Sequence, residues 1–291
     1  MAVKRSVPSR TFDVVVFILV LVTVLVCIIP FIYIISVSLS SNSAIVSQKV
    51  TLYPVEFTMQ TYQTVFSDQS MVYSLGYSVV LTVVYTVMSM AVTVLAAYPL
   101  TKRNLKGRSF FLAIILFTMY FSGGLIPDYI LVKSLNLLNS MWSLILPGLL
   151  SVYNMIILKS FFQSIPESLE EAAALDGCNE MQTLVRIVLP LSMPSIATLS
   201  LFYAVSRWNG FMDALFYITK PSLYPIQLKL YQIINVSQSM TNQMEGSIGQ
   251  DVAPEGLKAA SVMFATVPIL LVYPWLQKYF VSGVMIGAVK G

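Results

Sequence analysis

Glu170, Glu171 and Asp176 flank a run of three alanines and one leucine, Ala172 to Leu175, and Gly177 follows directly. Carboxylates beside small residues suit one kind of chemistry. They accept charge-assisted hydrogen bonds from the Arg or Lys of another protein, whose backbone the alanines allow to come close. Covalent catalysis is not expected. The chain has no histidine, which removes His-based triads and zinc-hydrolase motifs. Cys27 lies in an apolar run and Cys178 in the charged segment, so no disulfide and no metal site are expected. The 15 methionines form no clustered ligand set and read as adaptable apolar packing.

Short helices must position these acids. Ser164-Ile165-Pro166-Glu167 fits a capping box, with Pro166 in the first turn. The spacing predicts a helix of about ten residues on which Ile165, Leu169, Ala172 and Ala173 share one face. Gly177 would then take the left-handed position past its end. A second helix is expected from about Asn179 to Ile187, ended by Leu189-Pro190. The residues alone leave open a surface loop with a helical turn and no partner.

The surroundings of this island are oily. Of 291 residues, 57% are hydrophobic and 10% charged, with a mean hydropathy of +0.78. Soluble domains carry about 25% charged residues, so most of this surface must meet lipid or apolar protein. We expect an all-α membrane protein with six transmembrane helices, at about 14–37, 72–100, 109–134, 141–162, 191–218 and 257–284. The island at 163–190 falls between the fourth and fifth. The third is interrupted by Gly123-Gly124 and Pro127. The first reads as an uncleaved signal anchor, being too long for a signal-peptide core. Lys4, Arg5 and Arg10, and the four cations within 102–108, place the N-terminus and that loop in the cytoplasm. Alternation puts 39–70, 134–140 and 219–256 outside, and the island and both termini inside. The net charge of +4 has no basic run interleaved with aromatics, so no nucleic acid partner is expected.

Glu170-Glu171-Ala172-Ala173-Ala174-Leu175-Asp176-Gly177, followed by Ile187-Val188-Leu189-Pro190, resembles the EAA signature of bacterial ABC importer permeases. Its placement is similar to that in the six-span subunit of the maltose type. Trp142-Ser143-Leu144-Ile145-Leu146-Pro147 and Pro225-Ile226-Gln227-Leu228 further resemble the lipo-oligosaccharide and complex-polysaccharide branch. The resemblance implies a cytoplasmic coupling helix in which Glu171 meets a basic residue of an ATPase, Gly177 shapes the bend, and Ala172–Ala173 seats in the ATPase cleft. It also implies a tail, Gly287, Val289, Lys290 and Gly291, that enters the ATPase dimer. The implied partners are a second homologous permease, that ATPase dimer, an extracytoplasmic sugar-binding protein, the lipid bilayer and an oligosaccharide. The chain lacks a G-x-x-x-x-G-K-[ST] loop, so it is read as binding no cofactor, with ATP and Mg held by the ATPase subunits.

Polar groups within apolar spans tend to face protein or a water-filled path. Trp208 and Asn209 are candidates for a sugar passage, by ring stacking and by bonds to hydroxyls. The alternative is an interfacial aromatic beside an Arg207 that snorkels or pairs with Asp213. Tyr120, Gly123 and Gly124 form a second candidate set, and Asn154 a third. Close packing of small residues accounts for the glycines equally well. The 233–256 stretch lacks apolar periodicity and reads as either a loop contacting a binding protein or a passive linker.

The sequence therefore predicts a transport subunit in the bacterial cytoplasmic membrane, not an enzyme, forming half of an oligosaccharide pathway by alternating access. Rival readings are a permease of the same architecture for a polyamine or peptide, an ATP-independent channel or carrier, and an intramembrane enzyme. The channel or carrier lacks the charged rings, acidic relay or inverted repeats that would favour it, and the enzyme lacks histidine and paired acids at catalytic spacing within the spans.

Overall fold

The computed structural model describes residues 7–243 and 253–288, with side chains placed for 12–235 and 253–272. Among the described residues every regular element is helical. The chain divides into two compact units, Met1–Gln69 with Leu230–Val267, and Ser70–Lys229 with Pro268–Gly291.

The first unit begins with α1 (Val7–Ser38), which runs through Pro30 without ending. Its Phe12–Ser38 segment has a mean hydropathy of 3.4, and none of its most apolar stretch is buried. An apolar helix exposed all round fits a lipid environment. After it, α2 (Asn42–Val46) is capped by Ser41, whose Oγ accepts from Ala44 N at 3.2 Å. The Glu56 carboxylate accepts the hydroxyls of Ser41 and Ser43, the latter at 2.7 Å. Next come α3 (Gln60–Ser67) and the start of the final helix, α14 (Pro254–Ala288). Phe66 of α3 meets Phe264 of α14 edge-on, with centroids 5.1 Å apart. Asn42 Oδ1 accepts from Ala253 N at 2.6 Å, just ahead of α14.

The second unit is built on α4 (Gln69–Ala97), a 29-residue helix with one buried stripe that includes Leu81, Tyr85, Met90 and Ala97. Against this stripe pack Ile145, Met155, Leu158, Val188, Leu199 and Tyr203, all nearly inaccessible. Three predicted spans differ from simple rods. The third is two helices, α5 (Arg108–Tyr120) and α6 (Leu125–Ser134), bent by 113°. Gly124 opens α6 at φ +88°, a conformation costly for any residue with a Cβ. The fourth starts as 3-10 turns at Met141–Leu144 and Leu146–Gly148, then turns 52° into α7 (Val152–Phe162). The fifth is broken at Gly210, between α11 (Met193–Asn209) and α12 (Met212–Tyr217).

A break at membrane depth frees backbone groups that lipid cannot satisfy. In the 148–151 break, tyrosine hydroxyls supply the missing partners. Tyr85 Oη donates to Gly148 O at 2.7 Å, and Ser151 N donates to Tyr203 Oη at 3.0 Å. Tyr203 Oη is also bonded to Thr93 Oγ1 at 2.7 Å. Three helix segments are thus pinned at one buried point.

Among the described residues three helices are long and apolar enough to cross a membrane, and up to six if each of three bent pairs is one span. The third such pair is Glu180–Leu191 with Met193–Asn209, bent by 83°. One expectation fails in the polar stretch after residue 220. It holds α13 (Ile226–Gln243), an 18-residue helix with Ile226 and Leu228 buried. Ile226, Leu230, Ile233 and Ile234 repeat at helical spacing, a signal diluted by the polar residues between them. Residues 244–252 of the expected 233–256 loop lie outside the described residues.

Candidate functional site

The acidic island folds as α8 (Glu167–Leu175) and α9 (Glu180–Thr183), joined by a glycine turn. Gly177 has φ +80°. Cys178 N donates to Ala173 O at 2.9 Å and Gly177 N to Ala174 O at 3.1 Å, which together make a Schellman closure. The glycine turn is as the spacing predicts.

The start of α8 is not. Ser164 does not cap it. Its Oγ donates back to Phe161 O at 2.7 Å, closing the end of α7, and Pro166 occupies the cap position without a side-chain bond. A serine just past a helix end bonds most readily to the carbonyls behind it. The capping box belongs instead to α9, where Gln182 N donates to Asn179 Oδ1 at 2.8 Å and Asn179 N to Gln182 Oε1 at 2.9 Å.

Leu189-Pro190 does not end the second helix either. From Thr183 the chain passes into a π-helical turn, Leu184–Val188, and on through α10 (Leu189–Leu191). Pro190 falls in the first turn of α10, where a missing N–H costs little. The bend comes later, at Ser192, whose N–H is shared between Val188 O and Leu189 O at 3.0 Å each, with Pro194 just beyond. π turns are uncommon and concentrate at functional places. Ile187 and Leu189 are half-buried along this stretch, and Pro190 is exposed.

The two central alanines separate. Ala173 is 4% exposed, whereas Ala172 faces out, so they do not share the expected face. The inward face of α8 carries Glu170 and Ala173, and the outward one carries Leu169, Ala172 and Leu175. Leu175 is 90% exposed, and Met181 and Val185 are also open. From sequence, Leu169 and Ala172 are expected on an apolar face, with no part in it for Leu175, Met181 or Val185.

The acids separate as well. Glu170 pairs with Lys102, and Glu180 lies 3.0 Å from the same ammonium. Tyr98 Oη donates to Glu180 Oε2 at 2.9 Å, and Lys102 Nζ sits 4.5 Å above the Tyr98 ring. Burial works against the Lys102 charge, but bonds to Glu170, Tyr98 and Glu180 outweigh it and hold its pKa above the usual lysine range. Arg103 Nε approaches Glu167 at 3.5 Å on the open rim. Glu171 makes no ion pair among the described residues, and Asp176 and Gly177 are exposed. A cleft of about 550 Å³ opens here, lined by Lys102, Glu170, Glu171, Cys178, Glu180 and Thr183 among others.

This arrangement can be set beside known proteins. The family described as binding-protein-dependent transport system inner membrane component matches residues 73–286. The chain belongs to that family. Among permeases of this family, it is 45% identical over 284 residues to the polygalacturonan/rhamnogalacturonan transport system permease protein YtcP of Bacillus subtilis, covering 97% of this chain and 99% of the relative. It is 44% identical to protein LplC of the same organism, covering 97% and 96%. The crystal structure of a bacterial ABC transporter involved in the import of the acidic polysaccharide alginate contains a chain with TM-score 0.87 and 31% identity, covering 96% of this chain and all of that one. The chain is therefore a permease subunit of a membrane transporter, not an enzyme.

The expected passage residues of this permease fall in different settings. Arg207 is 8% exposed and grips Asp213 with both terminal guanidinium nitrogens, Nη1 and Nη2. It also donates to Leu144 O at 2.9 Å and Gly210 O at 3.1 Å. It is therefore a clasp across the Gly210 break. Trp208 is 9% exposed, with its indole N–H unpartnered, and Asn209 is exposed, its amide bonded to Val205 O at 3.0 Å. Tyr120 is 75% exposed, beside the break that Gly123 and Gly124 create. Asn154 is buried in the first turn of α7, where Ser151 Oγ accepts its N–H at 3.3 Å. Of the tail residues, Gly287 lies in α14, and Val289, Lys290 and Gly291 lie outside the described residues.

Proposed function

We propose that this permease forms half of the transmembrane pathway of an ATP-driven oligosaccharide importer. The observation that carries the reading is the likeness across the whole chain, 31% identity with TM-score 0.87, to a subunit of a transporter importing alginate. The 45% identity to a polygalacturonan/rhamnogalacturonan permease points to the same cargo class. The chain would sit in the bacterial cytoplasmic membrane with six spans and both termini inside, the bent segments at 108–134 and 141–162 each counting as one crossing and the fifth crossing running through α11 and α12. Orientation is supported by the cations of 102–108, which belong on the cytoplasmic side.

In this reading α8 is the coupling helix. Glu171, with no ion-pair partner among the described residues, offers its carboxylate to a basic residue of an ATPase, and Leu169, Ala172 and Leu175 seat against it. ATP and Mg belong to that ATPase pair, whose closure moves the island and rocks the spans between inward- and outward-facing packings. A second homologous permease completes the pathway, and an extracytoplasmic binding protein delivers the sugar to the outer side. In the same reading the tail residues Gly287, Val289, Lys290 and Gly291 are assigned to contact with the ATPases. Tyr120, Gly123, Gly124, Asn154, Trp208 and Asn209 are the residues to test for contact with cargo.

Uptake by the reconstituted complex decides the cargo. Labelled oligogalacturonide should accumulate in an ATP-dependent way, and polyamine and peptide should not. Accumulation of either of those in place of the sugar would overturn the reading.

A further inference from the structure

Motion of α8 has two routes into the spans. Along the chain it must cross the left-handed Gly177, the π turn at Leu184–Val188 and the 83° bend before α11. Each joint can absorb part of a displacement. The second route avoids all of them. Lys102, immediately beyond the apolar stretch that α4 begins, pairs with Glu170 of α8 and with Glu180 of α9. Tyr98 braces the same point, donating to Glu180 and stacking beneath the ammonium, with its ring edge-on to Phe162 of α7 at 6.3 Å. The Lys102 and Glu170 side chains are each 25% exposed, so this pair is no loosely solvated surface pair of the kind that contributes little, whereas Glu180 at 75% exposed joins it from the open rim. It is the point at which the two island helices, α7 and the end of α4 meet.

We propose that Lys102 is a positioning residue that makes the coupling island and the end of α4 one mechanical body, so that force on α8 reaches the second span directly. The proposal rests on the docking reading above and adds to it a route of transmission, carried by a cation that sequence reasoning assigned only to membrane orientation. Two carboxylates on one ammonium keep the joint closed even when either helix shifts slightly. Packed side chains and ion-pair networks that join rigid elements in this way can carry coupling between distant sites.

The test uses the full complex with its second permease, ATPase pair and binding protein. Lys102→Met should leave co-purification of the ATPase intact. It should reduce both the stimulation of hydrolysis by sugar-loaded binding protein and uptake per ATP by at least about fivefold. Lys102→Arg should recover much of both, which a purely steric role would not predict. A covalent replacement is the sharper arm. In a Cys27→Ser, Cys178→Ser background, Lys102→Cys with Glu180→Cys should transport poorly until joined by a short thiol cross-linker, which should raise uptake at least about fivefold. Three results would each overturn the proposal: full coupling in Lys102→Met, loss of ATPase co-purification in that variant, or a cross-link that fails to raise uptake. Failure of the docking reading is distinguishable, because it would appear in Glu171→Lys, which leaves the Lys102 contacts in place.

Discussion

Glu170 and Glu171 are adjacent in the chain and opposite in fate. Glu170 is held by Lys102 from within, and Glu171 has no ion-pair partner among the described residues. A helix separates neighbours by about 100°, so one carboxylate reaches Lys102 and the next stays open on the cleft. Glu171→Lys should therefore weaken ATPase retention on co-purification roughly 10- to 100-fold, the size expected for a lost hydrogen bond to a charged group. Glu171→Gln should lose less. Unchanged retention in Glu171→Lys would show that α8 does not dock through this residue.

Gly177 is tested through its backbone alone. A Cβ added there meets nothing within 4 Å, yet φ is +80°. Gly177→Ala should destabilise the α8–α9 turn by about 1–2 kcal/mol, and Gly177→Asn by less, since asparagine tolerates the left-handed region. Hydrogen exchange at the Cys178 amide, which closes the turn onto Ala173 O, reads this directly. Equal protection in wild type and Gly177→Ala would contradict it.

The break at 148–151 should depend on its tyrosines. Tyr203→Phe removes the partner of Ser151 N and of Thr93 Oγ1. The cost should be about 1–3 kcal/mol, seen as a lower Tm of the purified subunit complex. At Gly148 a Cβ would stand 2.8 Å from Tyr85 Oη. Gly148→Ala should therefore destabilise, and adding Tyr85→Phe should return part of the loss, a non-additive pair of the kind expected for touching residues.

Much of this was legible in the sequence because apolar length and glycine placement are strong local signals. The all-helical class, the apolar runs, the interruption at Gly123-Gly124 and the left-handed Gly177 all follow from them. What was not legible depends on distant partners. Ser164 looked like a cap because nothing local says that it closes α7 instead. Lys102 looked like a topology marker because Glu170 and Glu180 lie far along the chain. The π turn has no sequence signature, so Leu189-Pro190 read as a stop. The helix α13 was hidden by polar residues between its apolar positions. Ala172 and Ala173 looked equivalent until packing turned one inward.

An acid-sensitive point lies in the first unit. The hydroxyls of Ser41 and Ser43 hold the Glu56 carboxyl below its ordinary pKa of 4.5. A group depressed on folding contributes above its ordinary value, and that contribution is lost as pH falls through the folded value. Protection of the α2 amides, corrected for intrinsic exchange, should be steady from pH 8 to about 5 and fall below about 4. Glu56→Gln should reproduce the loss at neutral pH. A variant as protected as wild type would show that the Ser41–Glu56–Ser43 contacts do not hold α2.

The side of the membrane on which the island lies can be measured with one residue. Leu175, 90% exposed at the end of α8, can be changed to Cys in a Cys27→Ser, Cys178→Ser background and challenged with an impermeant maleimide. The coupling account predicts labelling in inside-out vesicles stripped of the ATPase and none in right-side-out vesicles. Labelling from the outer face would place α8 beyond the reach of any cytoplasmic ATPase and contradict the account.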